Sequence, residues 1–192
     1  MSQDFFDIAA DDWDRRLQPI DFEAALRFLK RAGVGEGDAL LDVGAGTGIL
    51  VPFCRELGVS KYLAIELSKG MCGVFSRKFP HEKILHADFC SAVLSKSFYS
   101  VAFFFNCFSH FSDPSRVFEK ALSVLAPGGK LVIAHAMGRQ ALNKYHRERS
   151  PDVAEDILPS DEQFRELFAK FGFFNVDIED GAQGFFALGV SP

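Results

Sequence analysis

The sequence is short of several things, and each shortage excludes something. Cysteine is scarce: Cys54, Cys72, Cys90 and Cys107 are the only four in 192 residues. None stands in a C-x-x-C pair and no Cys/His spacing suggests zinc, so neither a disulfide framework nor a metal site is expected. The thiols read instead as reduced, mostly buried groups of a cytoplasmic protein. No uncharged apolar run approaches the ~20 residues that a membrane-spanning helix needs. The stretch Met1 to Ala10 carries Asp4 and Asp7 and has no basic segment, so it does not read as a secretory signal. Basic residues are outnumbered, 21 Lys and Arg against 26 Asp and Glu, for a net charge of -5. That balance argues against broad binding to nucleic acid or to an anionic membrane. Tryptophan (one) and tyrosine (three) are rare, whereas phenylalanine reaches 22. Clusters such as Phe103, Phe104 and Phe105 then read as parts of a Phe-rich core.

What is present fits one globular domain over residues 1–192. Hydrophobic residues make up 48% of the chain and charged residues 24%, the usual mix for a packed core. Strand-like and helix-like segments alternate, the signature of a parallel sheet covered by helices. A helical N-terminal region (1–32) ends at Gly33, Gly35 and Gly37. Short apolar strands are expected at 39–43, 62–65, 83–86, 101–105 and 130–135, with helices at 48–57, 69–78 and 114–125 between them. A helical insertion (137–158) follows the fifth strand. Ser160 with Gln163 reads as a capping box for a helix over 161–171. Segments 173–178 and 185–190 read as a closing hairpin around Gly181.

The informative stretch is Leu40-Leu41-Asp42-Val43-Gly44-Ala45-Gly46-Thr47-Gly48. A strand enters a glycine loop, and the loop opens a helix. Glycines let backbone approach a ligand where a Cβ would clash, and a helix N-terminus offers N–H donors and a positive dipole end. A dinucleotide fingerprint requires G-x-G-x-x-G, and the third glycine of that pattern is here Ile49. An oxidoreductase is therefore disfavoured.

The actual pattern, D-x-G-x-G-x-G, resembles the first motif of class I S-adenosylmethionine-dependent methyltransferases of the small, single-domain kind. Leu125-Ala126-Pro127-Gly128-Gly129-Lys130-Leu131 is similar to that family's turn before strand five. The resemblance covers residues 40–136 well and the flanks more loosely. It implies a Rossmann-like, doubly wound α/β fold: a mostly parallel seven-stranded sheet with a C-terminal antiparallel hairpin. It also implies S-adenosyl-L-methionine as cofactor, held by Asp42, Gly44, Ala45, Gly46, Gly48, Glu66, Leu67, Asp88, Phe89 and Asn106. Within that set the resemblance gives Glu66 the ribose hydroxyls, Asp88 the adenine amino group with Phe89 near the ring, and Asp42 the methionine end. It suggests Phe5, Phe6 and Trp13 as an aromatic lid.

Ligands of open α/β sheets lie beyond the C-terminal strand ends. His110 and His135 fall there, and His146 follows on the next helix; all three are candidate bases. As a helix, 139–149 puts Ala141, Leu142 and Tyr145 on one face and Arg139, Asn143, His146 and Arg147 on the other. The expectation is that the apolar face docks on the domain while Arg139, Asn143 and Arg147 cap an acceptor pocket selecting an anionic small molecule. Two alternatives remain open from sequence: a methyltransferase acting on protein or RNA, and a non-catalytic nucleotide-binding domain of the same fold.

Overall fold

A computed structural model describes residues 3–149 and 153–192. Residues 1 and 2 of the N-terminal region and 150–152 of the expected insertion lie outside them.

The N-terminal region divides into helix α1 (Gln3–Ala9), a 3-10 turn (Ala10–Arg16) and helix α2 (Pro19–Arg31). Pro19 starts α2 because its fixed φ suits a first turn, and Gln18 with Asp21 closes a reciprocal capping box. Strand β1 (Ala39–Val43), helix α3 (Val51–Glu56), strand β2 (Lys61–Glu66), helix α4 (Lys69–Lys78) and strand β3 (Lys83–His86) follow. Then come strand β4 (Tyr99–Phe105), helix α5 (Pro114–Val124) and strand β5 (Leu125–His135). Helices α6 (Arg139–Arg149) and α7 (Asp161–Lys170) precede strands β6 (Phe174–Gly181) and β7 (Gly184–Val190).

The seven strands form one sheet in the order β3-β2-β1-β4-β5-β7-β6. The pairs β1–β2, β1–β4, β2–β3 and β4–β5 are parallel, while β7 runs antiparallel to both β5 and β6. This is the doubly wound, Rossmann-like architecture with a closing hairpin that the resemblance implies. The strand order reverses between β1 and β4, and such a switch point opens a crevice at the strands' C-terminal ends.

Phenylalanine fills both faces of the sheet. Phe104 meets Phe108, Phe118, Phe164, Phe168 and Phe185 on the side of α5 and α7. Phe103 and Phe105 meet Phe28, Leu29, Leu40 and Phe186 on the side of α2 and α3. Strand β4 is buried at every residue but Ser100, as a central parallel strand covered on both faces should be.

Several boundaries differ from the sequence reading, two of them within the glycine motifs. The helix after the glycine loop starts at Val51 rather than Gly48, because Gly48 holds φ +93°, outside the helical region. Strand β5 begins at Leu125, so the Pro127-Gly128-Gly129 segment lies within the strand instead of before it.

Candidate active site

Gly44, Ala45 and Gly46 follow β1, Glu66 ends β2 and Leu67 follows it, Asp88 and Phe89 come after β3, and Asn106 follows β4. The topology brings all eight to the walls of one cleft, which also includes Phe6, Trp13, Leu17, Met71, His110 and Phe111. The space over the cleft, open solvent at its mouth included, is about 890 Å³.

Glu66 organises the loop. Its Oε2 accepts a hydrogen bond from Gly46 N at 2.9 Å, and its Oε1 accepts one from Ser68 N at 2.8 Å. Burial pushes its pKa up, while the N–H groups of Ser68, Gly46 and Leu67 pull it back. Each oxygen keeps a further lone pair, so the carboxylate can still accept from a ligand. Asp88 accepts from Cys90 N through Oδ1 at 3.0 Å; its Oδ2 has no hydrogen bond among the described residues. Beside it, Phe89 is held edge-on by Phe104 and Phe111. Asn106 adopts φ +53°, a conformation that asparagine tolerates better than most residues. There its Oδ1 accepts from Ala136 N at 2.8 Å, and its amide nitrogen reaches Asp21 Oδ1 at 3.4 Å.

Two residues named with this set stand elsewhere. Asp42 is 1% exposed, behind the loop, and its Oδ2 accepts a 2.5 Å hydrogen bond from the Tyr62 hydroxyl. Burial raises its pKa to about 7, opposed by the Tyr62 bond. Asp42 is thus a largely desolvated acid outside the described cleft wall, where its bond to Tyr62 braces β1 against β2. Gly48 also faces inward, against the rings of Phe75 and Phe79.

The N-terminal segment covers the cleft with Phe6, Trp13 and Leu17, and the sequence reading missed what fastens it. Asp7 Oδ1 accepts from Ser68 Oγ (2.6 Å) and Gly70 N (2.8 Å) at the start of α4. These bonds, the Ser68 hydroxyl first, lower its pKa. Asp14 accepts from Thr47 Oγ1 at 2.5 Å and pairs with Lys78 at 2.6 Å. The only signal available was the acidic run Asp11, Asp12, Asp14, which reads as readily as a solvated turn.

A second, more open cavity of about 1280 Å³ adjoins the first and shares Phe6, Trp13, Leu17, Asn106 and His110 with it. Its other walls include Phe5, Arg16, Asp21, Met137, Leu142, Tyr145 and His146. The α6 residues on this cavity are Leu142 and Tyr145 from the expected apolar face and His146 from the other; Arg139, Asn143 and Arg147 are not among its described walls. Arg139 is occupied elsewhere: it pairs with Asp180 at 2.9 Å and with Asp161, and donates to Pro159 O at 2.7 Å. Asn143 Oδ1 accepts from Leu158 N at 3.1 Å, and Arg147 is exposed. The expectation that Arg139, Asn143 and Arg147 line an acceptor pocket is therefore corrected. The chain returns through Asp161 and Asp180, whose charges neutralise Arg139 and clasp α6 to α7 and β6.

The three histidines gather but are not equivalent. His110 and His146 stack with ring centroids 5.2 Å apart. His135 is fully buried, and neither ring nitrogen has a hydrogen-bond partner among the described residues. Burial drives its pKa well below 6.5, and His110 and His146 push it the same way. Walled off from both cavities, it is not placed to act as a base. It is placed to make stability depend on pH. An unpaired buried polar group costs about 1–3 kcal/mol, so His135→Leu should stabilise the protein by that amount at neutral pH. Below pH 6.5 the unfolded chain takes up a proton that folded His135 refuses, so the wild type loses stability as pH falls, by up to about 1.4 kcal/mol per unit. The variant's advantage should therefore be larger in urea denaturation at pH 5.5 than at pH 8. An advantage that does not change with pH would contradict the burial of a neutral His135.

Comparison with known proteins bears on this arrangement. A family model described as "Methyltransferase domain" matches residues 14–178. The chain belongs to the methyltransferase domain family. An uncharacterized methyltransferase from Alkaliphilus oremlandii (strain OhILAs) is 30% identical over 125 residues, which is 61% of this chain and 57% of that protein. A Haloferax volcanii putative methyltransferase, solved with the Trm112 methyltransferase activator, aligns with TM-score 0.80 at 21% identity, covering 97% of each chain. Haemonchus contortus phosphoethanolamine N-methyltransferase 2, solved with S-adenosyl-L-methionine, aligns with TM-score 0.73 at 19% identity over 88% of this chain and 52% of that one. This methyltransferase-domain chain thus spans only a little over half the length of the bacterial relative and of the nematode enzyme. At such identities the structural likenesses speak to fold. No helix among the described residues is long and apolar enough to cross a membrane.

Proposed function

We propose that the chain binds S-adenosyl-L-methionine in the first cleft and transfers its methyl group to a small molecule held in the second. The observation that carries this reading is the wall of Phe6, Trp13, Leu17, Asn106 and His110 common to both cavities: ligands in the two spaces meet across it. The residues present suit the cofactor. Gly46 lines the cleft, and a Cβ built on it meets no protein atom within 4 Å. The lone pairs left on Glu66 match ribose hydroxyls, and the spare Oδ2 of Asp88 beside the Phe89 ring matches an adenine amino group. The cofactor supplies a methyl group already activated by a sulfonium. The protein's task is then alignment and exclusion of water, and proximity alone accounts for about 7–11 kcal/mol in favourable cases.

A small acceptor suits a cavity walled by the segment after β5, by α6 and by the N-terminal segment. A macromolecular acceptor, protein or RNA, fits that enclosure and the net charge of -5 less well. The preference for an anionic acceptor loses its main support with Arg139 and Arg147 outside the cavity. Arg16, the one Lys or Arg among the described lining residues, shares the wall with Asp21, so a mainly apolar acceptor with one polar group is the better match. The free cysteines accord with a reducing, cytoplasmic setting. Calorimetry with S-adenosyl-L-methionine, S-adenosylhomocysteine and NAD tests the cofactor: the first two should bind and NAD should not. Turnover of radiolabelled cofactor against amines, phenols and carboxylates tests the acceptor. Binding of NAD in place of the sulfonium compound would refute the reading.

A further inference from the structure

We propose that His110, oriented by Asp156, is the proton acceptor of this site, and that its substrates carry a removable proton on the atom that becomes methylated. The proposal rests on the methyl-transfer reading and narrows its acceptors to amines and hydroxyl compounds. Three observations carry it. First, His110 lines both cavities, so its ring stands where cofactor and acceptor meet. Second, its Nδ1 lies 2.7 Å from Asp156 Oδ2. A carboxylate beside Nδ1 holds the proton on that nitrogen and leaves the Nε2 lone pair for another partner; among the described residues Nε2 has none. Third, the ring is packed against Phe6 (centroids 5.2 Å apart, planes at 68°) and against His146 (5.2 Å, 33°), which hold it in place.

Asp156 serves the neighbouring histidine too. Its backbone carbonyl accepts from His146 Nδ1 at 2.5 Å. His146 is 5% exposed, and burial lowers its pKa. It remains neutral at physiological pH and adds no positive charge against His110 when that ring takes a proton. His135, buried without a partner, cannot reach the acceptor. Of the three histidines only His110 combines a carboxylate partner with contact to both spaces.

The step balances as follows. The acceptor nitrogen or oxygen gives its proton to His110 Nε2, and its freed lone pair forms the bond to the methyl carbon. The carbon–sulfur bond breaks with its electron pair kept by sulfur, which becomes a neutral thioether. The imidazolium left behind is stabilised by Asp156 and later loses its proton to solvent. The groups that face His110 electrostatically among the described residues are Asp156, Glu66, His135 and His146.

The test has two arms. Two-bond 15N–1H spectra of the histidine rings read the tautomer without any acceptor: His110 should carry its proton on Nδ1, and Asp156→Asn should erode that preference. In turnover with S-adenosyl-L-methionine and a panel of primary amines and phenols, His110→Gln should lower kcat by about 10²–10⁴-fold. Its affinity for S-adenosyl-L-methionine should fall far less than its kcat. Phenols already ionised at the assay pH should lose least, and Asp156→Asn should fall between the wild type and His110→Gln with a displaced pH profile. A wild type that does not bind S-adenosyl-L-methionine overturns the methyl-transfer reading itself. A wild type that binds it, yet shows His110 protonated on Nε2 or keeps full turnover as His110→Gln, overturns the dyad alone.

Discussion

Gly46→Val should abolish measurable binding of S-adenosyl-L-methionine while leaving the fold in place, and Gly48→Ala should do the reverse damage. Both glycines have positive φ, +54° and +93°, so any side chain at either position costs about 1–2 kcal/mol of backbone strain. What separates them is where a Cβ would go. At Gly46 it enters open space in the cleft, with no protein atom within 4 Å. At Gly48 it falls 2.6 Å from the Phe79 ring and 2.9 Å from the Phe75 ring, which pack the opposite side of the loop and would have to shift, Phe75 within a fully buried site. Overpacking of that kind typically costs about 1–3 kcal/mol, added to the strain, and a domain of this size has about 5–15 kcal/mol in total. Calorimetry and thermal unfolding on both variants distinguish the two. The expected result for Gly46→Val is a loss exceeding about 100-fold in affinity, or roughly 2.7 kcal/mol, with a small drop in melting temperature. Wild-type affinity in that variant would remove the glycine loop from the binding surface.

The contrast between these neighbours shows what the sequence could and could not tell. D-x-G-x-G-x-G announced a backbone that approaches something closely, but not what each glycine approaches. The same limit explains Asp42. In a strand buried on both faces, Leu40, Leu41, Asp42 and Val43 give no polar alternation, so nothing local shows that Asp42 turns toward Tyr62. Glu66, Asp88 and Asn106 were legible because each sits at or just past the C-terminal end of a strand, where the doubly wound topology fixes one common edge. For α6 the apolar face expected from Ala141, Leu142 and Tyr145 forms only in part: Leu142 and His146 are buried, whereas Ala141 and Tyr145 are exposed. What that face meets was decided by residues distant in sequence: the N-terminal segment, and the acids Asp161 and Asp180, 22 and 41 positions beyond Arg139. The His110–Asp156 contact spans 46 positions, and periodicity carries no information over that distance.

Glu66 offers the second large effect. Glu66→Ala should weaken S-adenosyl-L-methionine by about 1.5–3 kcal/mol, the scale of hydrogen bonds to a charged group, or roughly tenfold to 150-fold. Part of the loss is direct, through the ribose hydroxyls. Part is indirect, because Gly46 N and Ser68 N lose the acceptor that sets the loop. Glu66→Gln exposes the indirect part: it keeps the shape, but its amide must turn an NH₂ group toward one of those two N–H donors. A 2′-deoxy analogue of S-adenosylhomocysteine separates the two contributions. If the carboxylate serves the hydroxyls, the analogue should already bind the wild type more weakly and should lose less on Glu66→Ala than the parent compound. The pH dependence follows from the same carboxylate. Burial raises the Glu66 pKa above its usual 4.5, and only the ionised form accepts from two backbone N–H groups and from a ligand together. Wild-type affinity should therefore fall as pH drops through that raised value, and the Glu66→Ala curve should be flatter. Equal losses for the parent compound and the deoxy analogue would confine Glu66 to bracing the loop, and an unchanged affinity in Glu66→Ala would take it out of the binding site altogether.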